Sequence, residues 1–248
     1  MAQHRQLSRA PLREALVDIQ FEQSFPIEAI DEFLSGIEPL FPKKSDIWEA
    51  MIGLNGIEGA SVQSSPVAVG RRVDSTDGLY VLQCKLNGFT LSRLTPYGKW
   101  GDLRDQAMQL WRSFSERVGA LHVTRIAVRY INQIKLPLPF GDFAEYLTCP
   151  PRLPNEVPQA LSEFITRVVI PDPEHNCISI VTQALEGSPM ESLAGMEVSI
   201  LLDIDVFQIT RIDPDEREKI WVVLDELREQ KNRMFFAHLT EKTVELFA

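Results

Sequence analysis

Thr124-Arg125-Ile126-Ala127-Val128-Arg129-Tyr130-Ile131-Asn132-Gln133-Ile134 lies close to the middle of the chain and alternates with the period of a strand. Ile126, Val128, Tyr130 and Ile134 point one way, and Arg125, Ala127, Arg129, Ile131 and Gln133 the other. β-branched residues and a tyrosine suit a pleated, half-buried surface. The two arginines share a face and stand about 13 Å apart along the strand. The residues before this stretch read as one α+β unit and those after it as a second.

In the first half, Arg13–Phe21 has period two, with Ala15, Val17, Ile19 and Phe21 on one face. Ile27, Ile30, Phe33, Leu34 and Ile37 form the stripe of a helix that starts after Pro26 and stops before Pro39. Next comes a meander, with strands at 47–54, 61–73, 79–86 and 89–94 and a hairpin turn at Asn87-Gly88. Leu103, Ala107, Leu110, Trp111, Phe114 and Val118 mark a second helix. The second half opens with the central strand, then a short helical piece at 140–147. The spacing of Val157, Leu161, Phe164 and Ile165 predicts a helix, and 177–184 and 196–208 read as strands. Asp213-Pro214-Asp215-Glu216 is a helix start, continued by Ile220, Val223, Leu224, Leu227, Met234 and Phe235, and Thr240 caps a last short helix.

The halves overlay. Glu14–Ile19 matches Arg125–Tyr130 in pattern, with Glu14 and Asp18 replaced by Arg125 and Arg129 on the outward face. As antiparallel neighbours, the two strands would bring opposite charges together, at about 0.2–1 kcal/mol per pair. The fold class is therefore α+β: an antiparallel sheet with helices on one face, built from two strand-helix-strands-helix repeats, 1–120 and 121–248, within one compact unit.

The chain has 248 residues, 44% hydrophobic and 24% charged, enough apolar material for a sizeable core. A net charge of −10 repels phosphate backbones and disfavours nucleic acid except through a local basic patch. Cys84, Cys149 and Cys177 are scattered without metal spacing and read as reduced thiols. No apolar run approaches the roughly 18–20 residues that cross a bilayer, and Met1–Arg9 lacks the apolar segment of a signal peptide. No membrane role and a cytoplasmic location are the expectation. Residues 1–11 read as a loose polar arm.

Arg125 and Arg129, with Tyr130 and Asn132 beside them, form the candidate anion or partner site, because guanidinium binds carboxylate and phosphate through paired hydrogen bonds. The competing reading is that the chain's own acids neutralise both arginines. Asp203 and Asp205 flank Ile204 and are the candidate metal ligands, with Asp18 able to join them. His4, His122, His175 and His238 share no motif, and His175 and Cys177 are too far apart on a strand for direct activation. Trp48, Trp100, Trp111 and Trp221 are the aromatic stacking candidates. Of these, Trp111 belongs to a helix stripe and Trp48 is the most open to a surface role. No nucleophile elbow, phosphate loop, dinucleotide fingerprint or kinase signature is present, and no cofactor or catalytic residue is implied.

Pro11–Ile19, the turn from Leu91 through Thr95-Pro96-Tyr97 to Trp100, Arg125–Asn132 and Leu202-Asp203-Ile204-Asp205 together resemble a prokaryotic family of about this length. That family is sporadically distributed across bacteria and archaea and has no assigned function. Arg129-Tyr130-Ile131-Asn132 is the most specific part of the resemblance. A sporadic distribution implies a mobile accessory gene, such as a toxin–antitoxin or phage-defence module. The expected function is a non-enzymatic cytosolic interaction protein with a protein partner, a homodimer being compatible. The alternative is a nucleotide- or RNA-acting protein, with the arginine pair on phosphate and the Asp-x-Asp pair on a divalent metal.

Overall fold

The computed structural model describes residues 2–52, 64–159, 161–186 and 197–248. The expected strand ends at 53–54, 61–63 and Met196 lie outside them. Among the described residues, nine strands form one antiparallel sheet: β1 (Leu12–Phe21), β2 (Lys43–Ile52), β3 (Ser64–Asp74), β4 (Tyr80–Lys85), β5 (Gly88–Leu94), β6 (Val123–Pro137), β7 (Ile165–Asp172), β8 (Cys177–Glu186) and β9 (Glu197–Ile212). Their order across the sheet is β2-β3-β4-β5-β1-β6-β9-β8-β7. Among the described residues the helices are α1 (Ile27–Ile37), α2 (Trp100–Val118), α3 (Lys219–His238) and the short α4 (Glu241–Glu245).

The seam at the middle joins β1 to β6. Ala15, Val17 and Ile19 lie opposite Tyr130, Val128 and Ile126, and all six are buried. With a side-chain period of two, this apolar set fixes which face turns inward. α1, α2 and α3 cover that face. Trp111 and Phe114 of α2 pack on Phe21 and Phe89, and Phe33 of α1 packs on Phe114. α3 lies against β6, β9 and β8. Arg71 of β3 forks onto Asp31 of α1 at 2.9 and 3.0 Å, tying that helix to the sheet and holding the Asp31 carboxyl below its usual range.

Three local expectations change. Val157–Ile165 forms no helix: Pro154 and Pro158 remove donors, and the residue before Pro158 is disfavoured in helical conformation, so Val157 closes a turn on the Pro154 carbonyl and the described residues run as coil into β7. β7 is an edge strand, where Pro171 is tolerated. The β4–β5 turn falls on Leu86-Asn87, with Lys85 paired to Gly88, a register that sets Phe89 opposite buried Cys84. Asp213 opens a 3-10 turn over Pro214–Glu216, and the α-helix begins only at Lys219.

The N-terminal arm is docked. Ala2 donates its backbone N–H to the carbonyls of Phe236 (3.3 Å) and Leu239 (3.0 Å), and Arg9 donates to Phe247 (3.2 Å). The last carbonyls of a helix have no partner within it, and the arm supplies donors at the end of α3. No helix among the described residues is long and apolar enough to cross a membrane.

Two glycines report on packing in opposite directions. A methyl group at Gly36 of α1 would meet nothing within 4 Å, whereas at Gly70 it would sit 2.9 Å from Lys85 Cα and closer still to the Cys84 carbonyl oxygen. Gly36→Ala is expected to raise stability by about 0.5–1 kcal/mol. Gly70→Ala is expected to lower it by about 1–3 kcal/mol. Urea denaturation of the two variants beside the parent checks both signs.

Candidate functional site

Arg125 and Arg129 project from the face that no helix covers, and the sheet's own acids meet them there. Arg125 donates to Asp18 at 2.6 Å and to Asp205 at 3.2 Å, its guanidinium lying 4.4 Å from the centroid of the Phe207 ring. Arg129 forks onto both oxygens of Asp203, at 2.8 and 2.6 Å. Thr90 donates to the second oxygen of Asp18 at 2.7 Å. Burial raises the Asp205 carboxyl pKa against the pull of the two arginines, with Asp18 and Asp203 adding to the rise. Asp203 and Asp205 therefore already accept from guanidinium groups. Among the described residues, no group of three His, Cys, Asp or Glu side chains is gathered as a metal site. This face carries a nearly self-compensated charge ladder.

Tyr130 and Asn132 belong to the opposite, helix-covered face. Both line a cavity of about 640 Å³ bounded by the N-terminal arm, β6, the start of α2 and α3. The Tyr130 hydroxyl is 2.9 Å from that of Tyr97, and burial raises both phenol pKa values. The Asn132 amide donates to the carbonyls of Leu202 (3.0 Å) and Tyr130 (3.3 Å), which fixes it at the cavity floor. Trp100, in the first turn of α2, is anchored by its ring N–H on Asp225 at 2.7 Å and faces the same space.

Four cations line this cavity, Arg5, Lys99, Arg228 and Lys231, and no carboxylate does. Arg5 pairs with Glu241 and Arg228 with Glu229 outside the walls. The side-chain ammonium groups of Lys99 and Lys231 form no ion pair among the described residues. The first backbone N–H groups of α2 add positive potential at the same end, partly offset by Asp102, which accepts from the Lys99 N–H at 2.9 Å.

Lys231 is the unusual member. It sits on the buried face of α3, its amine donating to Asn232 Oδ1 at 2.6 Å and lying 3.6 Å from the Tyr130 ring centroid. Burial, reinforced by Arg228, brings its pKa down to about 7; Glu229 works in the other direction. The Tyr130 face also favours the cation, so the two environments oppose each other. Lys231 falls in step with Ile220, Leu224, Leu227 and Phe235, where the helical stripe calls for an apolar residue. That interruption was the sequence signal for the cavity.

In the unfolded chain Lys231 titrates at its ordinary value of 10.5, in the fold near 7. Between those limits the unfolded state binds the extra proton, so this lysine makes stability rise with pH from about 7 towards 10.5 and imposes its full penalty below 7. Lys231→Met is expected to remove that rise and to stabilise the protein at pH 6 by on the order of 3 kcal/mol. Denaturation curves of parent and variant from pH 6 to the alkaline limit give the difference directly. No family model matches this chain, and no curated protein matches it.

Proposed function

We propose that this is a binding protein for a small organic anion carrying an aromatic ring, held in the cavity between β6, α2, α3 and the N-terminal arm. One observation carries the reading: in a chain of net charge −10, the cavity walls hold four cations and no acid. Its volume of about 640 Å³ suits a nucleotide-sized molecule. Tyr97 and Trp100 offer ring faces, while Lys99 and Arg228 offer donors for phosphate or carboxylate. The nucleotide alternative raised by the sequence thereby keeps its ligand class and changes its site, from the strand arginines to the cavity.

A protein-interaction role rests on a different observation. β7 ends the sheet, and among the described residues no strand pairs with its outer edge. Ile165, Val168 and Val169 are exposed along it, Ile165 at 73%. An open, apolar edge is a template for another strand. The occupant that this edge fits is β7 of a second copy, paired antiparallel about a twofold axis. The repeat reading belongs to the same proposal. Outward from the central seam the strands run β5, β4, β3 on one side and β9, β8, β7 on the other, with a long helix following each of β5 and β9. The accessory or defence setting comes from the family resemblance alone.

Adenosine monophosphate is expected to raise the melting temperature, inorganic phosphate to do so less, and adenosine least. Arg228→Ala and Lys99→Ala are each expected to weaken binding about tenfold, and added salt to weaken it further. No shift with either anion overturns the reading. For the edge, light scattering is expected to give twice the chain mass for the parent and the single mass for Val168→Lys. A parent that stays monomeric across concentrations removes the dimer.

A further inference from the structure

We propose that Lys231 is a nucleophilic amine that condenses with the carbonyl group of an anionic oxo compound, an aldehyde or 2-oxo acid bearing phosphate or carboxylate, bound in the cavity. The inference rests on the anion-binding reading above and adds a covalent step to it.

The geometry supplies what such a step needs. Lys231 lines a space large enough for a ligand. It lies in the wall with Arg228 one turn before it on the same helix, and no carboxylate within 4 Å locks it as an ammonium ion. A lysine becomes a nucleophile when it is desolvated or set beside another cation, and both conditions hold here. The groups facing it from the packed elements are the Tyr130 ring of β6, the Asn232 amide of α3 and, beyond Tyr130, the Tyr97 hydroxyl ahead of α2. Burial leaves the amine neutral for about half the molecules at pH 7, whereas an ordinary lysine is neutral in about one molecule in 10³–10⁴.

The reaction balances without an oxidant or reductant. The Nζ lone pair adds to the carbonyl carbon while the C=O π pair moves to oxygen, which takes one of the two amine protons to give a carbinolamine. The hydroxyl then leaves with the second amine proton as water, and the C=N bond of the imine forms. The phosphate or carboxylate stays with Lys99 and Arg228 throughout. Tyr97 and Tyr130, sharing one hydrogen bond, stand beside the reacting centre as hydroxyl groups able to donate to the departing oxygen.

The probe is pyridoxal 5′-phosphate, an aromatic aldehyde phosphate, incubated at pH 7 with the full chain and reduced with borohydride before peptide mapping by mass spectrometry. Pyridoxal without the phosphate runs in parallel. The expected result is modification of Lys231 in more than about tenfold excess over exposed Lys135 and Lys219, following the neutral fractions. Inorganic phosphate is expected to protect it, and the imine absorbance to be absent in Lys231→Arg. Label spread evenly over exposed lysines, or an unlabelled Lys231 in a protein that still binds adenosine monophosphate, overturns the nucleophile and leaves the anion site standing. Equal labelling of Lys231 by pyridoxal and its phosphate keeps the nucleophile and overturns the anion requirement. Neither labelling nor anion binding overturns both.

Discussion

The pairing of β1 with β6 carries the rest of the molecule. These strands lie far apart in sequence, and their pairing joins the β5 side of the sheet to the β9 side. Their helix-covered faces meet as Val17 on Val128 and Ile19 on Ile126, with no exposed atom of consequence between them. Their open faces meet through Asp18 and Arg125. A hydrophobic contact fixes the side, and a charge pair of modest energy fixes the alignment. A slip of one residue would turn both sets the wrong way round. Every other strand is added outward from that seam, so errors there would propagate to both edges.

One-sided coverage then divides the protein chemically. On the open face the arginines are spent on Asp18, Asp203 and Asp205, in a network that needs no ligand. On the covered face, α3 carries Lys231 into its buried stripe, and its amine has no carboxylate partner among the described residues. The acidic balance of the chain thus conceals a local excess of positive charge, because net charge is a sum over the surface and says nothing of where the signs lie. Burying an amine under Tyr130 costs stability.

The sheet was legible in the sequence wherever alternation was clean. β1, β6 and β9 follow their periods, and α1 and α2 follow their stripes, because apolar patterning and secondary structure share one cause. It failed where a helical spacing of apolar residues coincided with prolines, at Val157–Ile165. It was a residue out at the β4–β5 turn, where long-range register outweighed the local Asn-Gly signal. The candidate site was half legible. Tyr130 and Asn132 were singled out on the strand, but they were grouped with Arg125 and Arg129, which face the other way. Arg228 and Lys231 are neighbours on α3, but Lys99 and Arg5 come from distant segments, and only the tertiary fold brings all four to one cavity. The docked arm was illegible for the same reason: its partners are backbone carbonyls at the end of α3 and at Phe247, and the Glu241 carboxylate, all more than 200 residues away in sequence.

The four tryptophans fall into separate optical environments. Trp48 is 56% exposed, while Trp111 and Trp221 are buried. Trp100 is intermediate, with its indole N–H held by Asp225 and its ring at the rim of the cavity near Tyr97 and Tyr130. Emission from the exposed indole is red and easily quenched by iodide, and that from the buried pair is blue and sheltered. Trp100 belongs to neither class. Its signal depends on whether water or a bound ring occupies the space beside it, so the protein contains its own fluorescent gauge of occupancy, at the mouth of the site, without a label.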